Sequence, residues 1–266
     1  MSLSEEIKLL DGKAWDKDEL LNRMVDDSFY YGYLSKAALS SSASKDLLKS
    51  SKSYYKSLSR KQKETQALRE GRLFHTLVLE PETIQHKYEL VSNERRDASV
   101  RKIQSLADRE VILQKEYNFM KALMNNVVDC VDAFDLIQGG LAEVPAIGMI
   151  NDIPFRGKAD YLKSDHIVDL KTTVSLDGWL WTAKNKWHYD MQAYIYKELF
   201  NVSRFTFLVV EKISGEIAIF ETTAESFESG RQKVQTVTDR YKRSFLNKNE
   251  SEIRSEVYNQ YQTGEF

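Results

Sequence analysis

Three residues near the middle of the chain are of the right types and spacing to do chemistry together. Arg156-Gly157-Lys158-Ala159-Asp160-Tyr161-Leu162 leads through Lys163-Ser164-Asp165-His166 into Ile167-Val168-Asp169-Leu170-Lys171, which reads as two short strands joined by a tight turn. With Ser164-Asp165 as the loop, Lys163 pairs with His166 and Asp160 falls directly opposite Asp169. Cβ atoms of such a pair lie roughly 5 Å apart. Asp169 and Lys171, two residues apart on one strand, project from the same face about 7 Å from each other. Facing carboxylates repel unless a cation lies between them. Oxygen ligation favours Mg²⁺, with Mn²⁺ as a substitute, over zinc. Two carboxylates, a hard ion and an ammonium suit phosphodiester hydrolysis, a reaction that is extremely slow unaided. The competing reading is an Asp-x-Lys on a solvated strand face, and spacing alone leaves both open.

The surroundings must hold such a group in place. With 266 residues, 42% of them hydrophobic, the chain can bury one sizeable core. Charged residues make up 29% and nearly cancel to a net charge of −2, which neither signals nor excludes a nucleic-acid partner. The start Met1-Ser2-Leu3-Ser4-Glu5-Glu6 lacks the basic-then-apolar pattern of an export signal, and no apolar run spans a bilayer, so a soluble, cytoplasmic protein is expected. Cys130 is the single cysteine, too few for an intrachain disulfide or for a cysteine-ligated zinc or iron–sulfur site.

Helical spacing runs from about Asp16 to Ser57, from Gln62 to Leu79 and from Arg95 to Gln138, where Gly139-Gly140 stops it. Ser42 or Ser44 is the expected cap of the segment Lys45 to Lys49. Strands are expected at Glu143 to Ile150, Pro154 to Leu162, His166 to Lys171, Arg204 to Glu211 and Glu216 to Thr222. Helices are expected from Met191 to Phe200 and from Ala224 to Leu246. The pattern is that of an α/β (α+β) fold with a mixed central β-sheet flanked by helices. Residues 1–39 read as an N-terminal helical extension to a domain over 40–266.

Asp160 followed by Asp169-Leu170-Lys171-Thr172-Thr173 resembles the motif pair of the PD-(D/E)xK nuclease superfamily, and in particular its RecB/RecE-like branch. That branch carries an upstream Gly-x-x-x-His and a downstream Gln-x-x-x-Tyr element. Gly71-Arg72-Leu73-Phe74-His75 and Gln192-Ala193-Tyr194-Ile195-Tyr196 stand in those places and in that order. Thr76-Leu77-Val78-Leu79-Glu80-Pro81 and Ser42-Ala43-Ser44-Lys45-Asp46-Leu47-Leu48 also look RecE-like, and the resemblance covers roughly Ser40 to Phe220.

The resemblance implies a restriction-endonuclease-like core. By it His75, Asp160, Asp169 and the Leu170 carbonyl hold the metal, Lys171 is the catalytic lysine, and Gln192 and Tyr196 position the lysine, the water or the DNA. Gln192 and Tyr196, four apart, share a helix face. Arg72, about one turn from His75, is the candidate phosphate contact. Glu143 resembles an acidic position of the family and is equally open to a surface role. Glu80 reads as a helix-end charge. Among Trp179, Trp181, Trp187, Tyr189 and Tyr194 most read as core. Roughly half of Lys184, Lys186, Arg231, Lys233, Arg240, Lys242 and Arg243 read as a solvated face. The implied activity is a Mg²⁺-dependent exonuclease on ends of double-stranded DNA, a homo-oligomeric ring partnered by a single-strand annealing protein in phage-type recombination. A DNA endonuclease and a catalytically idle DNA-binding module are the alternatives. A relative with a four-cysteine iron–sulfur cluster is excluded by Cys130 standing alone.

Overall fold

A computed structural model describes residues 5–60 and 64–259. Order along the chain begins with a hairpin, β1 (Glu6–Lys8) and β2 (Ala14–Asp16). Asp16 then caps α1 (Lys17–Arg23) by accepting the Glu19 N–H at 2.9 Å. A π-helical turn, Ser28–Tyr33, leads into α2 (Leu34–Ala37). The segment before Ser40, expected as helical, therefore opens on strands. Its apolar side chains, among them Ile7, Leu20, Met24 and Leu34, form a small core of their own with Ile147.

Helices α3 (Ser41–Lys49), α4 (Ser51–Leu58) and α5 (Gln66–Leu79) follow. The cap of α3 is Ser40, whose Oγ accepts the Ala43 N–H at 3.3 Å, so the helix starts ahead of the expected caps and leaves Ser44 buried inside it. Gln62, the expected start of the next helix, lies outside the described residues. Beyond α6 (Ile84–Lys87), strand β3 (Tyr88–Val91) pairs in parallel with β4 (Glu110–Leu113) around α7 (Ala98–Leu106). Both strands interrupt stretches read as helix or left unassigned. Four residues, Glu110-Val111-Ile112-Leu113, are too few for periodicity to distinguish a buried strand from a helix turn. Helices α8 (Gln114–Asp129) and α9 (Val131–Leu136) complete the helical half.

The central sheet is built from β5 (Leu141–Ile150), β6 (Ile153–Lys163), β7 (His166–Thr173), β8 (Arg204–Glu211) and β9 (Ile217–Glu221), in that spatial order. All neighbours are antiparallel except β7 and β8, which run parallel. That parallel pair requires a crossover, supplied by α10 (Trp179–Asn185) and α11 (Tyr189–Phe200). Long α12 (Ala224–Ser244) and α13 (Glu250–Asn259) are the last elements among the described residues. The mixed sheet flanked by helices is the architecture expected from the sequence.

Alternation along the strands divides the core into two layers. Val168 and Leu170 of β7 and Leu208 and Val210 of β8 pack with Leu73, Phe74 and Leu77 of α5 and Met120 of α8. Ile167, Phe205, Phe207 and Val209 point the other way, onto Met191 and Ile195 of α11 and Val234 of α12. The odd-numbered positions of β7 thus face α11, and Asp169 and Lys171 are among them.

Candidate active site

The β6–β7 turn has the expected register: Lys163 pairs with His166, Leu162 with Ile167 and Tyr161 with Val168. The ladder stops there, one step short of Asp160 and Asp169. The Leu170 N–H donates to Asp160 Oδ2 at 2.7 Å, so a side chain takes the backbone donor that would otherwise continue the pairing. On the other side of β6 the ladder with β5 also skips Asp160, at Glu143, whose φ of 51° is a left-handed conformation rare for a non-glycine residue. Asp160 therefore sits where the pairing lapses on both sides of β6.

Around this opening the donors gather in two linked groups. Ligand atoms of His75, Glu143 and Asp160 all lie within 4.8 Å of one another. His75 Nδ1 is 3.6 Å from Asp160 Oδ2, and its Nε2 is 3.0 Å from the Leu170 carbonyl. The second group is Asp169, 1% exposed, ion-paired with Lys171 and accepting from Gln192 Nε2 at 2.6 Å. Asp169 Oδ2 is in contact with the lysine ammonium. Lys171 Nζ also donates to the Leu170 carbonyl at 3.3 Å and lies 5.2 Å from the centre of the Tyr189 ring. The Leu170 carbonyl is the shared corner of the two groups.

Electrostatics separates the roles. Burial pushes the Asp169 carboxyl up to about 6, the Lys171 charge opposing and Asp160 reinforcing the shift. Burial likewise raises Asp160, against the pull of Lys171 and the Leu170 N–H. Glu143 is pushed up to about 7, first by burial and then by Asp160. His75 is lowered to about 4 by burial and by Lys171, so its imidazole is neutral at pH 7 and free to act as a ligand. For Lys171 burial favours the neutral amine, but Asp169 and Asp160 outweigh it and hold the ammonium above the usual lysine range. Three carboxyls held reluctant to ionise beside a neutral imidazole form a set that a divalent cation would complete. Hard oxygen donors plus one imidazole fit Mg²⁺ or Mn²⁺.

The remaining expected site residues fall in different places. Tyr196, on α11 four residues beyond Gln192, is buried against Gly157 and its hydroxyl accepts the Lys158 N–H at 3.4 Å. A Cβ at position 157 would come within 2.8 Å of the Tyr196 ring, which explains the glycine. Arg72 has its guanidinium shared between Glu64 and Glu110, at 2.9 Å from each, and does not join the cluster. Glu80 pairs with Lys87 at 2.6 Å. Trp179 is core, stacked on Phe220, and Trp181 is 69% exposed. Of the basic residues, Lys184, Arg231, Lys233 and Lys242 pair with Glu225, Glu228, Asp190 and Asp152. Arg240 donates to the Leu47 and Leu48 carbonyls.

Glu143, from the sequence equally open to the family's acidic position and to a surface role, belongs to the tightest cluster, and one further residue stands closer to the chemistry than the sequence discloses. Lys45 of α3 lies 5.1 Å from the centre of the Tyr189 ring that Lys171 also approaches, and burial lowers it to about 8.

This five-stranded mixed sheet flanked by helices is the fold of the PD-(D/E)xK type. The chain belongs to the family described as "PDDEXK-like domain of unknown function (DUF3799)", whose model matches residues 40–261. No curated protein matches the sequence. Among solved structures, the chain is similar to one from Eubacterium rectale named "Putative exonuclease", at 13% identity and a TM-score of 0.58, covering 91% of this chain and 95% of the other. At that identity the likeness concerns the fold. A second structure, SSO0001, at 16% identity and covering 74% of this chain and 86% of its own, has a TM-score of 0.30, too low to support an argument.

Proposed function

We propose that the chain is a divalent-metal-dependent deoxyribonuclease that hydrolyses phosphodiester bonds from the ends of linear double-stranded DNA. The observation that carries the reading is the convergence of His75, Glu143 and Asp160 within 4.8 Å, joined through the Leu170 carbonyl to the buried pair Asp169 and Lys171. Mg²⁺ or Mn²⁺ held by His75, Glu143 and Asp160, with the Leu170 carbonyl and Asp169 adjacent, would supply Lewis-acid stabilisation of charge building on the phosphate. Lys171 Nζ, beside Asp169 and the Leu170 carbonyl, is placed to orient or help deprotonate a water and to stabilise anionic oxygen on the phosphate. Gln192 fixes Asp169, and Tyr196 fixes β6 through the Lys158 N–H.

Preference for ends rests on the RecE-like order of Gly71 to His75, Asp160, Asp169 to Lys171 and Gln192 to Tyr196, and on the name carried by the Eubacterium rectale protein. The same reading extends to a ring of copies around DNA, to a single-strand annealing protein as partner in phage-type recombination, and to action in the cytoplasm. No helix among the described residues is long and apolar enough to cross a membrane.

The test compares linear duplex, closed circular duplex and single-stranded DNA, each with Mg²⁺ and with EDTA, for the wild type and Lys171→Ala. Metal-dependent loss of the linear duplex alone, absent in the variant, is the expected result. Cutting of the closed circle would make the protein an endonuclease, and no cutting at all would make it a binding module.

A further inference from the structure

The turn Ser28–Tyr33 lies before the family-matched residues, yet it packs on the stretch of β6 that leads to Asp160. It is π-helical, an uncommon form that often accompanies functional sites. Its anchors are explicit. Tyr30 is buried with the Arg156 guanidinium 4.2 Å from its ring centre, and Asp27 accepts from Lys158 Nζ at 2.9 Å. Phe29 and Tyr33 pack on Trp15, with ring centres 5.9 and 6.1 Å away. Arg156, Lys158 and Asp160 alternate along one strand and share a face, so these anchors hold the turn next to the carboxylate cluster.

Tyr31 is the aromatic residue of this turn left to solvent, 60% exposed between the buried Tyr30 and the half-buried Tyr33. Its ring meets Tyr30 edge-on at 4.8 Å, and Lys158 Nζ lies 5.5 Å from its centre. Lys158 stands two residues before Asp160 on the same strand, so its contact with the ring sets Tyr31 beside the stretch of β6 that enters the cluster. An aromatic ring packed edge-on against Tyr30 and exposed to solvent beside the carboxylate cluster offers the flat apolar face on which an unpaired nucleobase stacks.

We propose that Tyr31 is a substrate-binding residue whose ring stacks on a nucleobase of the DNA strand next to the phosphate held at the His75, Glu143 and Asp160 cluster. The inference rests on the nuclease reading above and gives the segment before Ser40 a part in gripping the strand end.

Two assays on wild type, Tyr31→Ala and Tyr31→Phe test it. The first measures kcat/KM on linear duplexes with ordinary termini and on the same duplexes with abasic sites in the terminal nucleotides. Tyr31→Ala should lose about 10-fold on ordinary ends, in the range of base–aromatic stacking, and less than about 2-fold on abasic ends. Tyr31→Phe should match the wild type on both, because the ring and not the hydroxyl makes the contact. The second follows fluorescence of 2-aminopurine at the terminus on binding in Ca²⁺, where stacking should quench the wild type and Tyr31→Phe complexes but not Tyr31→Ala. An equal loss on both kinds of end, or no difference between Tyr31→Ala and wild type in either assay, overturns the inference alone. A wild type that quenches the probe but cuts nothing supports stacking and overturns the nuclease reading. A wild type that neither cuts nor binds overturns both.

Discussion

Two aspartate–lysine pairs with buried carboxylates lie near Tyr189, one through the lysine beside its ring and one through the next residue of the chain, and their difference separates a structural ion pair from a chemical one. Asp190 is 5% exposed and completely satisfied. It accepts from the Met191 N–H at 2.9 Å and from Ser229 Oγ at 2.7 Å, and Lys233 Nζ reaches both its oxygens. Lys233 has in addition the Lys184 carbonyl at 2.8 Å. Asp169, buried deeper, has Gln192 on one oxygen and the Lys171 ammonium on the other. A second carboxylate, Asp160, stands near it and raises it further. The first pair ties α12 to the start of α11. The second has one partner on each oxygen and shares its lysine with the Leu170 carbonyl where the sheet opens, beside a second carboxylate whose repulsion a cation would relieve.

That contrast is broken most sharply at Lys171 and Asp169. Lys171→Ala and Asp169→Asn are expected to lower metal-dependent DNA cleavage by about 1,000-fold or more while leaving the circular dichroism spectrum unchanged. Cleavage at the wild-type rate by either variant would remove that residue from the site. At the other pair the effect should reverse. Lys233→Met strands a buried carboxylate and should cost on the order of 3–5 kcal/mol in urea unfolding, with cleavage per folded molecule retained. If it unfolds like wild type, Asp190 is not the structural pair described.

Metal dependence sharpens the comparison further. Glu143, at about 7, and Asp169, at about 6, carry protons on the acid side of those values that a cation must displace. Mg²⁺ affinity should therefore fall as pH drops from 7.5 to 6, with proton release on binding. His75, already neutral above about 4, adds no dependence in that window. Isothermal titration at both pH values measures this, and Glu143→Gln should weaken binding and flatten the profile. A profile unchanged by Glu143→Gln would move the titrating group elsewhere. Gln192→Ala should follow with about a 10-fold loss of kcat, since Asp169 loses its fixed partner but keeps Lys171. Tyr196→Phe should be mildest, within about 3-fold, because only the 3.4 Å hydrogen bond to the Lys158 N–H is removed.

The strands of the central sheet were legible because alternation and β-branched content survive in short runs, and Arg204–Glu211 matches its expected limits. The turn at Ser164-Asp165 was equally legible, since only a two-residue loop lets Lys163 meet His166. Strands β3 and β4 were not, because each is four residues long and gains its strand form only by pairing with the other across α7. The N-terminal hairpin escaped for the same reason, at three residues per strand.

For the site, local sequence determined that Asp169 and Lys171 share a face and that Gln192 and Tyr196 share another, because those relations follow from strand and helix periods. Tertiary structure decided everything that depends on where the ladders end. Continuing the hairpin register would set Asp160 face to face with Asp169. Instead Asp160 captures the Leu170 N–H, lies within reach of His75 and Glu143, and leaves Asp169 to Lys171 and Gln192. The Arg72 guanidinium, placed by sequence near His75, is claimed by Glu64 and Glu110, the latter 38 residues away along the chain. Periodicity reports the direction of a side chain from its own element, but which charges meet is set by packing between distant elements and by the competition of each buried donor for its nearest acceptor.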